Sequence, residues 1–196
     1  MVVTRAVFLD RDGVLNDPVL DPTDGRLESP LHAADVVLAA GAVDGCRLLQ
    51  KAGFFLVVVS NQPGAAKGKT TRDELWAIHE RVVELLAEHD VVIDEWRYCH
   101  HHPEATVAEL RGPCECRKPA PGMLLEAATA CGIDLSASWM VGDSDGDIEA
   151  GRRAGCQTVL VEHPGSAHRR LGRARPDAVV QDLTAGAAFI TTYRHR

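Results

Sequence analysis

Phe54-Phe55-Leu56-Val57-Val58-Val59 is an unbroken apolar run. A run without alternation is the pattern of a strand covered on both faces in a parallel sheet. Residues 6–9 (Ala-Val-Phe-Leu) carry the same pattern, and strands are also expected at 93–98, 139–141, 158–161 and 178–180. Helical spacings lie between them. Val43, Cys46, Leu48 and Leu49 lead to a stop at Gly53. Thr71 and Glu74 have the spacing of a capping box for a helix running to about His89, with Leu75, Ile78, Val82, Leu85 and Leu86 along one face. Further helices are expected over 123–130, from Asp147 to the glycines 151 and 155, and in a short stretch ending at Ile190. This alternation predicts an α/β fold: a doubly wound, mostly parallel, Rossmann-like sheet. With 196 residues and no repeat or linker, one domain is expected over 1–196. Residues 17–35 hold three prolines and no clear periodicity, so a long irregular loop is expected there.

Composition excludes several classes. The apolar runs fall far short of the roughly 20 residues of a membrane span, and no secretory leader precedes the first strand, so a cytoplasmic, non-membrane protein is expected. A net charge of −7 argues against nucleic acid as a partner. The basic residues Arg169, Arg170, Arg173 and Arg175 read as solvated surface, as do His79 and His89. Cys46, Cys131 and Cys156 are scattered like small core residues, whereas three cysteines crowd between 99 and 116.

Four segments carry chemistry. Asp10-Arg11-Asp12-Gly13-Val14-Leu15-Asn16 follows the first strand, and carboxylates one residue apart repel unless a cation or a nucleophile–acid pairing uses them. A solvated acidic turn closed by Gly13 is the plainer alternative. Ser60-Asn61-Gln62 ends the second long strand, where open α/β sheets bind ligands, although the same residues favour ordinary turns. Arg117-Lys118-Pro119 places two cations side by side, suited to phosphate or to plain solvation. In Gly142-Asp143-Ser144-Asp145-Gly146-Asp147, Asp143 at a strand end can complete a magnesium site, and Asp147 can support it or cap a helix. No bidentate Glu follows at calcium-loop distance. Separately, Cys99-x-His101 and Cys114-x-Cys116 form two ligand pairs that can close a loop (99–116) around zinc. His101 is chosen over His100 and His102 because its alternation mirrors the second pair. A free-thiol cluster or a disulfide is the alternative.

Taken together, DRDGVLN (10–16), SNQ (60–62), RKP (117–119) and GDSDGD (142–147) resemble the four signatures of the haloacid dehalogenase superfamily, in order and over nearly the whole chain. The zinc loop resembles that of its capless group, which takes in heptose-bisphosphate and histidinol-phosphate phosphatases. The long 102–113 interval favours the former. The resemblance implies magnesium-dependent hydrolysis of a small phosphorylated sugar through an aspartyl phosphate, by a monomer. A heptose bisphosphate losing its 7-phosphate is the expected substrate, with histidinol phosphate or another sugar phosphate as the alternative. It further implies Asp10 as nucleophile, Asp12 as acid and base, and Ser60 and Lys118 as holders of the phosphoryl oxygens. Asp10, the Asp12 carbonyl and Asp143 would bind Mg2+ with Asp147 in support, and Asn61, Gln62, Arg117 and Lys118 would contact substrate. Cys99, His101, Cys114 and Cys116 would bind Zn2+, ordering the loop. Two departures concern the sugar end: Ser144 stands where some relatives carry Lys, and the loop after Asn16 is long. A polynucleotide phosphatase and a non-catalytic zinc-stabilised binding protein are the rival readings.

Overall fold

A computed structural model describes residues 4–21, 25–172 and 174–193. The first apolar run forms β1 (Ala6–Leu9), wholly buried. Next come two short strands, β2 (Val19–Leu20) and β3 (Leu27–Glu28), and the helix α1 (Ala42–Lys51). The long apolar run becomes β4 (Phe55–Asn61), and α2 (Arg72–Ala87) and β5 (Glu95–Cys99) follow. After the cysteine-rich loop come α3 (Gly122–Cys131), β6 (Trp139–Gly142) and α4 (Asp145–Ala154). The chain closes with β7 (Gln157–Val161), β8 (Ala178–Val180) and α5 (Leu183–Thr192).

Six strands form one sheet in the order β5-β4-β1-β6-β7-β8, with every pairing parallel. Alternation along β1 divides the core. Val7 and Leu9 join Leu56, Val58 and Trp139 on the face covered by residues of α1, α2 and α5. Ala6 and Phe8 join Val57, Val59 and Met140 on the face covered by α3 and α4. Both faces are covered, as the unbroken apolar runs require. The chain leaves β1 for β4 on one side and returns to β6 on the other. The carboxyl end of β1 is therefore the topological switch point, where open sheets of this kind form a crevice.

Several local expectations change. The 17–35 stretch contains an antiparallel pair, β2 with β3, and a single 3-10 turn at Ala33–Asp35; Pro22, one of its three prolines, lies outside the described residues, as does Arg173. Gly151 does not end α4. It lies inside the helix, where a Cβ would overlap Met140 of β6, and Gly155 ends the helix in the left-handed conformation. Thr71 caps α2 by accepting from Glu74 N–H. The Glu74 carboxylate, however, accepts from Ala33 N–H at 2.9 Å, joining α2 to the long loop. His79 is no free surface residue: its Nδ1 lies 3.0 Å from the Tyr98 hydroxyl, between the rings of Trp76 and Trp96. Among the described residues, no helix is long and apolar enough to cross a membrane.

Candidate active site

β1, β4 and β6 end side by side, and the first polar residues beyond their apolar runs meet there. Asp10 follows β1 directly and is tied to β6 by its backbone N–H, which donates to Val141 O at 2.9 Å. Lys118 arrives from the cysteine-rich loop. Its ammonium donates to Asp10 Oδ1 at 2.9 Å, Asp147 Oδ1 at 2.6 Å and Val59 O at 2.7 Å, all in a buried setting. Asp10 Oδ1 also accepts from Arg11 N–H at 2.7 Å, and among the described residues no bond falls on Oδ2. Asp147 Oδ2 accepts from Ser144 N–H and Oγ–H, closing a reciprocal cap at the start of α4.

Asp10, Asp143 and Asp147 each bring a carboxylate oxygen within 4.8 Å of the others. Three carboxylates face one buried ammonium, with the Arg169 guanidinium a weaker influence on Asp143, so negative charge is in surplus when all are ionised. Burial above all, and then Asp147 and Asp12, push Asp10 upward against the pull of Lys118. Burial, then Asp10 and Asp147, push Asp143 up to about 8. Lys118 is raised to about 12: burial disfavours its charge, but Asp10 and Asp147 outweigh burial. Ser166 Oγ–H donates to Asp143 Oδ2, whereas the buried Asp143 Oδ1 has no partner. A buried carboxylate oxygen without a donor, among carboxylates that outnumber the nearby cations, fits a hard divalent cation. Gly13, at φ 87°, brings the loop backbone so near Asp143 that any Cβ would overlap the carboxylate.

Asp12 is held very differently. Its Oδ1 accepts from Arg11 Nε at 3.1 Å and Nη2 at 3.0 Å and from Asn16 Nδ2 at 3.0 Å. Its Oδ2 accepts from Gln62 Nε2 and Ser29 Oγ, both at 2.7 Å. Burial raises its pKa, but Arg11 and the bonds from Ser29, Asn16 and Gln62 outweigh that, and the net shift is downward. Gln62 is buried, and its amide also donates to Ser60 Oγ at 3.0 Å and accepts from Arg11. Its side chain is thus occupied within this web, while Asn61 faces the cleft and clamps the Lys118 backbone. Asn61 Nδ2 donates to Lys118 O at 3.0 Å, and its Oδ1 accepts from Lys118 N–H at 3.1 Å.

Cys99 ends β5, and the loop after it folds back to bring Cys114 and Cys116 beside it. Their Sγ atoms stand 3.1–3.7 Å apart, all as free thiols, and His101 Nδ1 lies 3.5 Å from Cys116 Sγ and 3.9 Å from Cys99 Sγ. These four can hold one metal ion. The neighbouring histidines turn elsewhere: His100 Nδ1 lies 3.1 Å from Gln62 O, and His102 Nδ1 accepts from Glu104 N–H. Arg117 ties this cluster to the cleft by donating to His101 O at 3.1 Å.

Asp10, Asp12, Ser60, Asn61, Arg117, Lys118 and Asp147 line one cleft at the end of the sheet. Glu28, Ser29, Lys67, His168 and Arg169 line it too. The sequence reading left these five out and took Arg169 as solvated surface. Instead Arg169 is largely buried, 3.3 Å from Glu28, and Arg170 donates to Asp143 O and His163 O. Arg11 was also missed as a functional group, although its place between two acids was a signal.

Comparison with known proteins matches residues 115–186 to the HAD-hydrolase-like family model. The chain is 38% identical over 179 residues to D-glycero-beta-D-manno-heptose-1,7-bisphosphate 7-phosphatase of Yersinia pestis, covering 91% of this chain and 90% of the relative. It is 42% identical over 161 residues to the Escherichia coli K12 enzyme of the same name, covering 82% and 80%. Among solved structures, the D,D-heptose 1,7-bisphosphate phosphatase from B. bronchiseptica complexed with magnesium and phosphate superimposes with a TM-score of 0.78 at 29% identity, covering 94% of this chain and 97% of that one. A HAD-like phosphatase structure from Mesorhizobium loti gives 0.79 at 32% identity, covering 99% and 90%. With relatives this similar over nearly the full length of both chains, the protein belongs to the HAD-like phosphatases, in the family of the D-glycero-D-manno-heptose-1,7-bisphosphate 7-phosphatases.

Proposed function

We propose that this enzyme removes the 7-phosphate of D-glycero-D-manno-heptose 1,7-bisphosphate through an aspartyl phosphate on Asp10. The observation that carries the reading is the Lys118 bridge. It fixes Asp10 Oδ1 and, among the described residues, leaves Oδ2 unbonded for attack on phosphorus, beside a Ser60 hydroxyl and the Lys118 ammonium suited to the transferring oxygens. As the Asp10–phosphorus bond forms, the bond from phosphorus to the sugar oxygen breaks, and Asp12 gives that oxygen its proton. A phosphate dianion beside Asp12 opposes its ionised form, which lets a carboxylate held low in the free protein carry the proton it donates. Water then attacks the aspartyl phosphate while Asp12 takes up a proton, and Asp10 and inorganic phosphate are released. Asp10, the Asp12 carbonyl and Asp143 would hold Mg2+, with Asp147 in support because both its oxygens already bond Lys118 and Ser144. Bound there, Mg2+ supplies the positive charge that screens the approaching phosphate from the carboxylates.

The thiol cluster is read as a structural Zn2+ site. Zinc–sulfur bonds of about 2.3 Å in a tetrahedron set ligand separations near 3.8 Å, and the observed spread of 3.1–3.9 Å supports that fit. Asn61, Gln62, Arg117 and Lys118 are the substrate-side group, Gln62 acting through Asp12 and Arg11. The remaining parts of the reading are a single, capless domain over 1–196 and a monomer in the cytoplasm that does not use nucleic acid. One six-stranded sheet, the short β2–β3 pair in place of an inserted domain and the acidic net charge support them.

A phosphate-release assay with magnesium, comparing both heptose 1,7-bisphosphate anomers with histidinol phosphate, tests the substrate. Phosphorus NMR should show the 7-phosphate leaving and the 1-phosphate retained. Preference for histidinol phosphate, or loss of the 1-phosphate, would overturn it.

A further inference from the structure

Lys118 has three acceptors and is fully engaged, while Arg117 donates to His101 O and is moored to the cysteine-rich loop. Arg169 is different. It ends the 3-10 segment Pro164–Arg169, beyond β7, and reaches the same cleft from a part of the chain remote from the cysteine-rich loop. Its side chain is 27% exposed, and among the described residues only one of its five N–H donors, at Nη2, is used, toward Glu28 Oε2 at 3.3 Å. A single long contact is poor use of a fork built for two parallel bonds to an oxyanion. Burial works against the charge, yet the carboxylates of Asp143, Glu28, Asp10 and Asp12 outweigh it and keep the guanidinium protonated. The cleft therefore contains a fixed cation with spare donors, whose one bonded partner is a carboxylate of the β2–β3 pair.

The geometry points to Arg169 as the specificity-determining residue for the phosphate that the substrate keeps, with Glu28 as the resident anion that this phosphate displaces. The inference rests on the bisphosphate reading above and deepens it, because it assigns the second anion to a residue outside the four motif segments. A phosphate presents three oxygens to the fork where Glu28 presents one, and it carries more charge, so the exchange favours substrate. A sugar with only the leaving phosphate has nothing to displace Glu28 and is the poorer substrate.

The test compares kcat/KM for heptose 1,7-bisphosphate with that for heptose 7-phosphate, which lacks the retained phosphate. In Arg169→Ala, the bisphosphate-to-monophosphate ratio should fall about 10- to 100-fold, the range for charged hydrogen bonds, mainly through KM. Arg169→Lys, which keeps the charge and loses the fork, should fall between. Glu28→Gln should raise the ratio about two- to fivefold, the scale of a partly exposed ion pair. An equal loss on both substrates in Arg169→Ala would mean that Arg169 only balances the acidic cluster, and the inference would fail alone. A lowered ratio in Glu28→Gln would also overturn it. Wild-type enzyme inert toward both sugars would instead remove the function on which it rests.

Discussion

Two clusters of candidate metal ligands lie among the described residues, and they are built in opposite ways. Asp10, Asp143 and Asp147 are buried, sit at the ends of paired strands or the first turn of a helix, and are held by Lys118, Ser144 and Ser166. Cys99 alone of the thiol cluster belongs to a strand, while His101, Cys114 and Cys116 are half-buried in a loop whose helical content is one 3-10 turn at Ala108–Leu110. Without a cation the acids repel one another, yet the sheet keeps them in place. Burial first, and then the neighbouring thiols, raise the Cys116 thiol; burial likewise raises Cys99. Burial also opposes ionisation of Cys114, but hydrogen bonds from Cys116, the Arg117 backbone and Cys99 outweigh it and lower that thiol. A metal bound here would therefore displace protons mainly from Cys99 and Cys116. The sheet holds the acidic cluster, whereas the thiol cluster depends on a loop with little regular structure of its own.

Replacing the nucleophile breaks the first cluster most completely. Asp10→Asn should lower turnover by roughly 10,000-fold or more, the scale for a lost catalytic group, without loss of thermal stability, because it relieves carboxylate repulsion. A phosphate-release assay and a melting curve check both. Turnover close to wild type would remove Asp10 from the mechanism. At the second cluster, Cys114→Ser or a soft-metal chelator with magnesium restored should raise KM about 10- to 100-fold, as for lost metal-site support, and lower the melting temperature. Unchanged KM in zinc-stripped protein, verified by metal analysis, would show the loop ordering itself.

A gentler probe is pH. Asp143, raised to about 8, would bind a proton that Mg2+ held there would have to displace. Magnesium affinity should therefore weaken as pH falls below 8, by up to about tenfold per unit for one proton. Calorimetry in buffers of different ionisation enthalpy at pH 7 should detect proton release, and pH-independent affinity would contradict the assignment. The smallest effect belongs outside both clusters. Thr71→Ala removes the cap on α2 and should cost about 1 kcal/mol of stability with kcat/KM unchanged, measured by denaturant titration. A change in kcat/KM there would mean that distant stability reaches the cleft.

The same contrast explains what could be read from the sequence. β1, β4 and β6 were legible because a strand covered on both faces must be apolar throughout, and the groups that follow such runs are displayed at the sheet edge. Asp10, Ser60 and Asp143 are placed by that rule alone. The roles of Ser29, Glu28 and Arg169 were not legible, since two-residue strands leave no periodicity and Arg169 meets Glu28 across 141 positions of sequence. Gln62 looked like a substrate contact because its position is right, but only coordinates show its amide spent on Asp12 and Ser60. Glu74 followed the spacing of a reciprocal cap, and a stronger demand won: the otherwise unbonded N–H of Ala33 at the start of the 3-10 turn.

Arg117 and Lys118 are adjacent in the chain and moored to different things. Lys118 is fastened to β4 through the paired bonds of Asn61, and Arg117 to the thiol loop through His101 O. Loss of the cysteines would therefore reach Arg117 first, while Lys118 keeps its hold on β4 and on Asp10. The peptide bond between 117 and 118 is the seam between a residue anchored by the sheet and one anchored by the loop.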